Sequence, residues 1–205
     1  MDDLLLLAQS TLQQGARSQP FIASGETTIC IGGEVHSGAV DAKLDSNGLF
    51  AANIYGPLGI LIASVSADTE QGSVTTEKGM QSFRRDQTMD TLPFAWGSNC
   101  TFNDLIAVFS GRAPESLAVI LDCPPDSISD KKKTINIIWN TDILRAGMTI
   151  RKKTNRVETV FFQHKKNAVW YLKLAGFRQG RAYKIELRED DRNYFSITYE
   201  KIRYD

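Results

Sequence analysis

AVDAKLDSNGLFAANIYGPLGILIASV, residues 39–65, is the stretch that decides the fold. Val40, Ala42 and Leu44 share one face of a first strand. Ser46-Asn47-Gly48 is a hairpin turn, because Asn-Gly accepts positive φ at both corners. Leu49 to Tyr55 is a second strand, Gly56-Pro57-Leu58-Gly59 a second tight turn, and Ile60 to Val65 a third strand. Strands joined by turns this short pair antiparallel, so the stretch is a meander.

The pattern extends in both directions. Upstream, Glu26 to Ile31 is rich in β-formers, after a polar connection over 16–25, and Gly32-Gly33 marks a bulge or a close backbone approach. Downstream, Ser73 to Thr76 and Met80 to Phe83 turn at Lys78-Gly79. After residue 133 strands resume at Thr134 to Trp139, Arg156 to Gln163, Ala168 to Ala175 and Arg181 to Arg188, and Phe195, Ile197 and Tyr199 share a last inward face. Thr141 to Gly147 reads as a helical turn. Residues 123–133, with Pro124, Pro125 and three lysines, read as an exposed loop.

Helices are few. Residues 2–14 predict one, with Asp2 or Asp3 as cap, Leu4, Leu5, Ala8 and Leu12 on one face, and Gly15 as stop. Phe102, Leu105, Ile106 and Phe109 predict a second at i, i+3, i+4, i+7, with Thr101 and Asp104 as a capping box and Gly111 as stop. Pro114 opens a third through Glu115 and Leu117. The sum is one mainly β domain over residues 1–205, of about ten to eleven antiparallel strands. Its helices are too few for a layer but enough to plug the concave side of a curved sheet.

Composition excludes several functions. The 24 basic and 24 acidic side chains cancel, which removes any whole-chain attraction to nucleic acid. The signs are segregated, however: residues 1–125 carry 6 basic and 14 acidic side chains, and residues 126–205 carry 18 and 10. That separation suggests basic later strands that orient the molecule towards an acidic carrier or anionic head groups. The runs Lys131-Lys132-Lys133, Arg151-Lys152-Lys153 and His164-Lys165-Lys166 lack the interleaved aromatics of a nucleic-acid module. Cys30, Cys100 and Cys123 fit no zinc spacing, and two histidines leave little for a His-based triad or metal site. No nucleotide-loop, nucleophile-elbow or metalloprotease motif occurs, so no catalytic residue, cofactor or metal is expected. No run reaches the ~18–20 apolar residues of a membrane span, and Leu4 to Leu7 is shorter than a signal-peptide core.

The turn at 56–59 stands apart. As a type II turn it puts Leu58 at the corner that needs positive φ, which is poor turn chemistry for leucine; the turn is either a plain connection made against that preference or a functional tip. In this setting the chain resembles the LolB outer-membrane lipoprotein receptors of the LolA/LolB-like superfamily. The resemblance rests on residues 39–65, on Val74-Thr75-Thr76, on the helix from Phe102 to Gly111, and on the closing hairpin Tyr183 to Leu187 and Phe195 to Ile197. It covers roughly 26–112 and 180–203.

That resemblance implies a half-open antiparallel β-barrel with helices lidding an apolar cavity. It implies a protein that takes the acyl chains of lipoproteins from a periplasmic lipoprotein carrier and inserts them at the periplasmic face of the outer membrane, as a monomer without enzymatic activity. Gly56, Pro57, Leu58 and Gly59 would form the membrane-insertion loop. Family receptors are anchored through an N-terminal Cys, and no Cys precedes Asp2 here. By strand alternation the cavity residues are Ile29, Ile31, Ile54, Ile62, Trp139, Phe161 and Trp170. A carrier of another lipid or apolar ligand is the alternative reading, and a lipid hydrolase using the same cavity a third.

Overall fold

The computed structural model describes residues 19–87, 101–114, 120, 123–142, 144–154, 156–164, 171–179, 181–189 and 191–204. The helix expected over 2–14 and the one opening at Pro114 lie outside them. The strands are β1 (Phe21–Ile31), β2 (Glu34–Leu44), β3 (Phe50–Tyr55), β4 (Leu61–Ala67), β5 (Gln71–Thr76), β6 (Gly79–Arg84), β7 (Ser127–Asp130), β8 (Thr134–Asn140), β9 (Leu144–Arg151), β10 (Arg156–His164), β11 (Tyr171–Ala175), β12 (Lys184–Arg188) and β13 (Tyr194–Tyr204), with α1 (Phe102–Phe109) after β6.

All of them form one antiparallel sheet in the order β6-β5-β4-β3-β2-β1-β13-β12-β11-β10-β9-β8-β7. The chain starts in the middle, meanders out to β6, passes through α1, reappears at the far edge as β7, and meanders back until β13 pairs with β1. β6 and β7 do not pair, so the sheet is not closed; the expectation was a half-open barrel of about ten to eleven strands, and the sheet holds 13.

The extra strand length comes from short or polar segments that alternation alone does not reveal. β1 begins at Phe21, inside the expected connection, because Phe21 and Ala23 alternate into the core opposite Leu44 and Ala42. Gly32-Gly33 is the turn between β1 and β2, both at positive φ (62° and 95°), and β2 starts at Glu34. β7 lies inside the expected 123–133 loop; its four residues are all exposed, and backbone pairing with β8 holds it. The helical turn expected over 141–147 is instead a tight turn in which Thr141 Oγ1 accepts from the Leu144 N–H, and Leu144 to Gly147 already belong to β9.

The concave face is fixed by α1, which keeps its expected cap. Thr101 Oγ1 accepts from the Asp104 N–H, and the Asp104 carboxylate accepts from the Thr101 N–H. Seven of its eight residues are buried, the mark of a helix enclosed on every side. Phe102 stacks on Phe83 of β6 (5.8 Å), and Phe109 meets Phe195 of β13 (5.7 Å). A flat sheet would put β6 and β13 about 29 Å apart, while an eight-residue helix is about 12 Å long. The sheet therefore wraps round the helix. Bulges at Ser24/Gly25, Ile54/Tyr55 and Val157/Thr159 bend its strands.

Helix and sheet meet closely at Gly72, where a Cβ would overlap the Phe102 ring. Gly72→Ala is expected to cost about 1–3 kcal/mol, read as a lower urea midpoint with an unchanged slope. The other end of α1 is tied by Tyr199, whose hydroxyl donates to the Phe109 carbonyl at 2.5 Å. Burial holds that hydroxyl well above the ordinary tyrosine value of 10.0, with the Arg181 charge pulling weakly the other way. Above pH 10 the unfolded chain then loses a proton that the folded one keeps, so stability falls as pH rises, by about 1.4 kcal/mol per unit from this group. The difference between wild type and Tyr199→Phe in alkaline unfolding titrations isolates it, and should shrink above pH 10.

Candidate functional site

Two features bear on function: the helix-covered face and the turn at 56–59. Cross-strand register carries the face from Phe195 in both directions. Towards β6, Phe195 stands opposite Ile29, and farther down the same face Val40 stands opposite Ile54, which stands opposite Ala63. Towards β7, the line runs from Phe195 to Leu187, Leu172, Phe162, Ala146 and Trp139. Ile29, Ile54 and Trp139 thus stand on the helix-covered side. Trp139 is fully buried there, and its indole N–H donates to the Cys123 carbonyl at 2.8 Å.

Phe161 does not. The bulge makes Glu158 an extra residue and shifts the alternation, so Val157, Val160 and Phe162 face inward. Phe161 lies on the outer side, stacked on Tyr171 (5.9 Å) beneath the Arg145 guanidinium. Ile62 is likewise displaced. It is the extra residue between Leu61, opposite Tyr55, and Ala63, opposite Ile54, and it is 40% exposed beside Gly56. The Ile31 side chain and Trp170 lie outside the described residues. The inner wall is small-residue-rich near α1, with Ala23, Ala42, Ala52 and Ala67 all buried.

The turn is built as its sequence suggests. The Gly59 N–H donates to the Gly56 carbonyl at 3.2 Å, and the Gly56 N–H to the Ile60 carbonyl at 2.8 Å, which closes the hairpin between β3 and β4. Leu58 takes φ 61°, ψ 16°, in the left-handed region where a side chain with a Cβ costs about 1–2 kcal/mol. It is also 99% exposed, so no packing offsets that strain. A leucine held unfavourably in water is the pattern of a residue kept for something outside the fold.

It has neighbours that alternation did not single out. Ile60 and Leu61 are exposed, and so is Met80, at the same end of the sheet beyond the β5–β6 turn. The signal for them was present: Ile60-Leu61-Ile62 is an unbroken apolar run, and an antiparallel strand cannot turn three successive side chains to one core. The turn therefore carries an apolar strip around Leu58. No group of three or more His, Cys, Asp or Glu side chains stands ready for a metal among the described residues.

No protein-family model matches the chain, and no curated protein matches its sequence. Solved structures do match in shape. An outer membrane lipoprotein-sorting protein domain from Vibrio parahaemolyticus superposes with a TM-score of 0.55 at 12% identity, over 98% of this chain and 92% of that one. A LolA superfamily protein from Nitrosomonas europaea gives 0.56 at 11% identity, over 97% and 93%. A DUF1329 family protein from Desulfovibrio piger gives 0.55 at 16% identity, over 100% and 92%. The chain shares the fold of these solved structures, one of them from the superfamily that it resembles in sequence.

Proposed function

We propose that this protein binds the acyl chains of lipoproteins on the concave face of its sheet and delivers them to a membrane through the Leu58 turn. The observation that carries the reading is Leu58 itself: fully exposed, at positive φ, and flanked by exposed Ile60 and Leu61. The fold shared with a lipoprotein-sorting domain and a LolA superfamily protein supports acyl cargo and a periplasmic location. The LolB-like resemblance of the turn and its flanking strands supports release at the outer membrane.

The physics fits a transfer protein. Each CH₂ taken from water gains about 0.8 kcal/mol, so an apolar wall suffices to hold an acyl chain without specific contacts. Such a wall is no better a solvent than lipid, which lets the cargo leave. One leucine entering lipid contributes roughly 1.5–3 kcal/mol, enough to favour an encounter and too little to anchor. No step in this cycle makes or breaks a covalent bond, and the protein acts without catalysis.

The direct test loads the protein with a fluorescent triacylated lipopeptide and follows its transfer to liposomes. Transfer from the protein, faster than spontaneous transfer from buffer, is the expected result. Binding of free fatty acid or phospholipid with no uptake of lipopeptide would favour the carrier of another lipid.

A further inference from the structure

We propose that the end of the sheet opposite Leu58 is a docking surface for an acidic protein segment. Strand direction separates the two ends. The β3–β4 turn with Leu58 lies at the end where β1 finishes and β13 begins. Carried through the register to the other edge, the turns after β7 and after β9 lie at the end where β1 begins. Those are the turns with Lys131-Lys132-Lys133 and Arg151-Lys152-Lys153. They sit side by side, the Lys152 N–H donating to the Lys133 carbonyl at 3.0 Å. Two runs twenty residues apart in sequence become one basic rim.

Most of this charge is uncompensated. Lys152 pairs with Asp130 and Arg151 with Glu158, while Lys131, Lys132, Lys133 and Lys153 are exposed and have no carboxylate at ion-pair distance among the described residues. Beside the rim is a cleft of about 530 Å³, where the β10 bulge, the β11–β12 connection and β13 meet. Arg151, Arg178 and Lys184 stand at it, with Phe177 and Tyr183 as an apolar wall and the Arg178 guanidinium 4.8 Å from the Tyr183 ring. Cations around a partly apolar slot of this size fit an acidic chain that also offers an apolar side chain to the slot.

A protein is favoured over a lipid head group by distance. The eight residues of β9 put the rim about 25 Å from the Leu58 end. The Debye length at physiological salt is about 8 Å, so with the Leu58 turn in a bilayer the rim does not feel that bilayer's charge. This step rests on the proposed membrane role of Leu58. Glu158, paired with Arg151, and Glu200 also line the cleft, so the positive charge offered to the partner is that of Arg178, Lys184 and the rim lysines.

The test uses a short fluorescein-labelled peptide of Asp and Glu around one Phe, and vesicles containing phosphatidylglycerol. The full chain is compared with a rim variant (Lys131→Glu, Lys132→Glu, Lys133→Glu, Lys153→Glu), with its milder Gln counterpart, and with Leu58→Glu. Wild type should bind the peptide with an affinity that falls with salt. The rim variant should bind it at least about tenfold more weakly, the Gln variant should lie between, and Leu58→Glu should bind as wild type does. Unchanged peptide binding in both rim variants, or none in wild type, overturns the proposal. So does loss of vesicle binding in the rim variant with Leu58→Glu unaffected, which makes the rim the membrane surface. If Leu58→Glu keeps vesicle binding while the rim variant loses only the peptide, the Leu58 reading fails and the docking surface stands.

Discussion

Leu58→Glu is expected to reduce delivery of a bound lipopeptide into liposomes by about a thousandfold, to the rate of spontaneous transfer. Leucine entering lipid gains roughly 1.5–3 kcal/mol, and a carboxylate placed there costs about 2.5–3.5 kcal/mol, so the swing is roughly 4–6 kcal/mol. Folding should not change by more than about 0.5 kcal/mol, because the side chain is 99% exposed and both residues bear the same positive φ. Leu58→Gly separates strain from insertion. Glycine takes φ 61° without penalty, so this variant should be more stable by about 1 kcal/mol while delivering roughly ten- to a hundredfold more slowly. A gain in urea midpoint with a loss of delivery would show that leucine is kept at this corner against the interest of the fold. Undiminished delivery by Leu58→Glu would end the role given to the turn.

The largest loss of stability is expected at Arg181. Its side chain is 2% exposed, yet no carboxylate pairs with it among the described residues. Its guanidinium donates to the Ser110 carbonyl at 2.8 Å and the Gln19 carbonyl at 2.7 Å, and lies 4.3 Å over the Phe21 ring. Ser110 caps the C-terminal end of α1, where the helix dipole favours a cation. Burial, and secondarily the Arg112 charge, lower its pKa to about 10, so it remains protonated at neutral pH. One side chain thereby fastens helix, first strand and β11–β12 connection together. Arg181→Met keeps the bulk and leaves two carbonyls without this donor, at an expected cost of about 3 kcal/mol, or roughly 6–12 °C in melting temperature. Arg181→Lys should recover less than half, because one ammonium cannot reproduce the planar fork that spans both carbonyls. A melt unchanged in Arg181→Met would mean that the contacts among α1, β1 and the connection hold without it.

What was legible in the sequence follows from how local each signal is. The α1 cap and the alternation of Val40, Ala42 and Leu44 depend on residues within one turn or strand, and the structure has them as expected; the hairpin turn at Ser46-Asn47-Gly48 forms too, but only Gly48 takes positive φ (80°) where both Asn47 and Gly48 were expected to, because the Gly48 N–H donates to the Asp45 carbonyl and places Ser46 and Asn47 at the central corners. Leu58 was legible for the same reason, since proline before it and glycine on both sides constrain a single corner. Phe161 and Ile62 were placed wrongly because each lies at or just after a bulge, where one extra residue reverses the alternation and no residue type announces the shift. β7 was missed because four exposed residues held by backbone pairing carry no hydrophobic pattern at all. The basic rim was hidden for another reason: charge counted along the chain says nothing about which ends of which strands meet, and only the register brings the two lysine turns together.

In the proposed cycle acyl chains occupy the concave face. Native mass spectrometry of the full protein mixed with a triacylated lipopeptide tests this most directly, with Ala52→Trp, which fills the inner wall between Ala42 and Val65, as control. A one-to-one complex that survives desalting and is lost in the folded control is the expected result. A protein that stays lipid-free, or a complex that Ala52→Trp leaves intact, would contradict it.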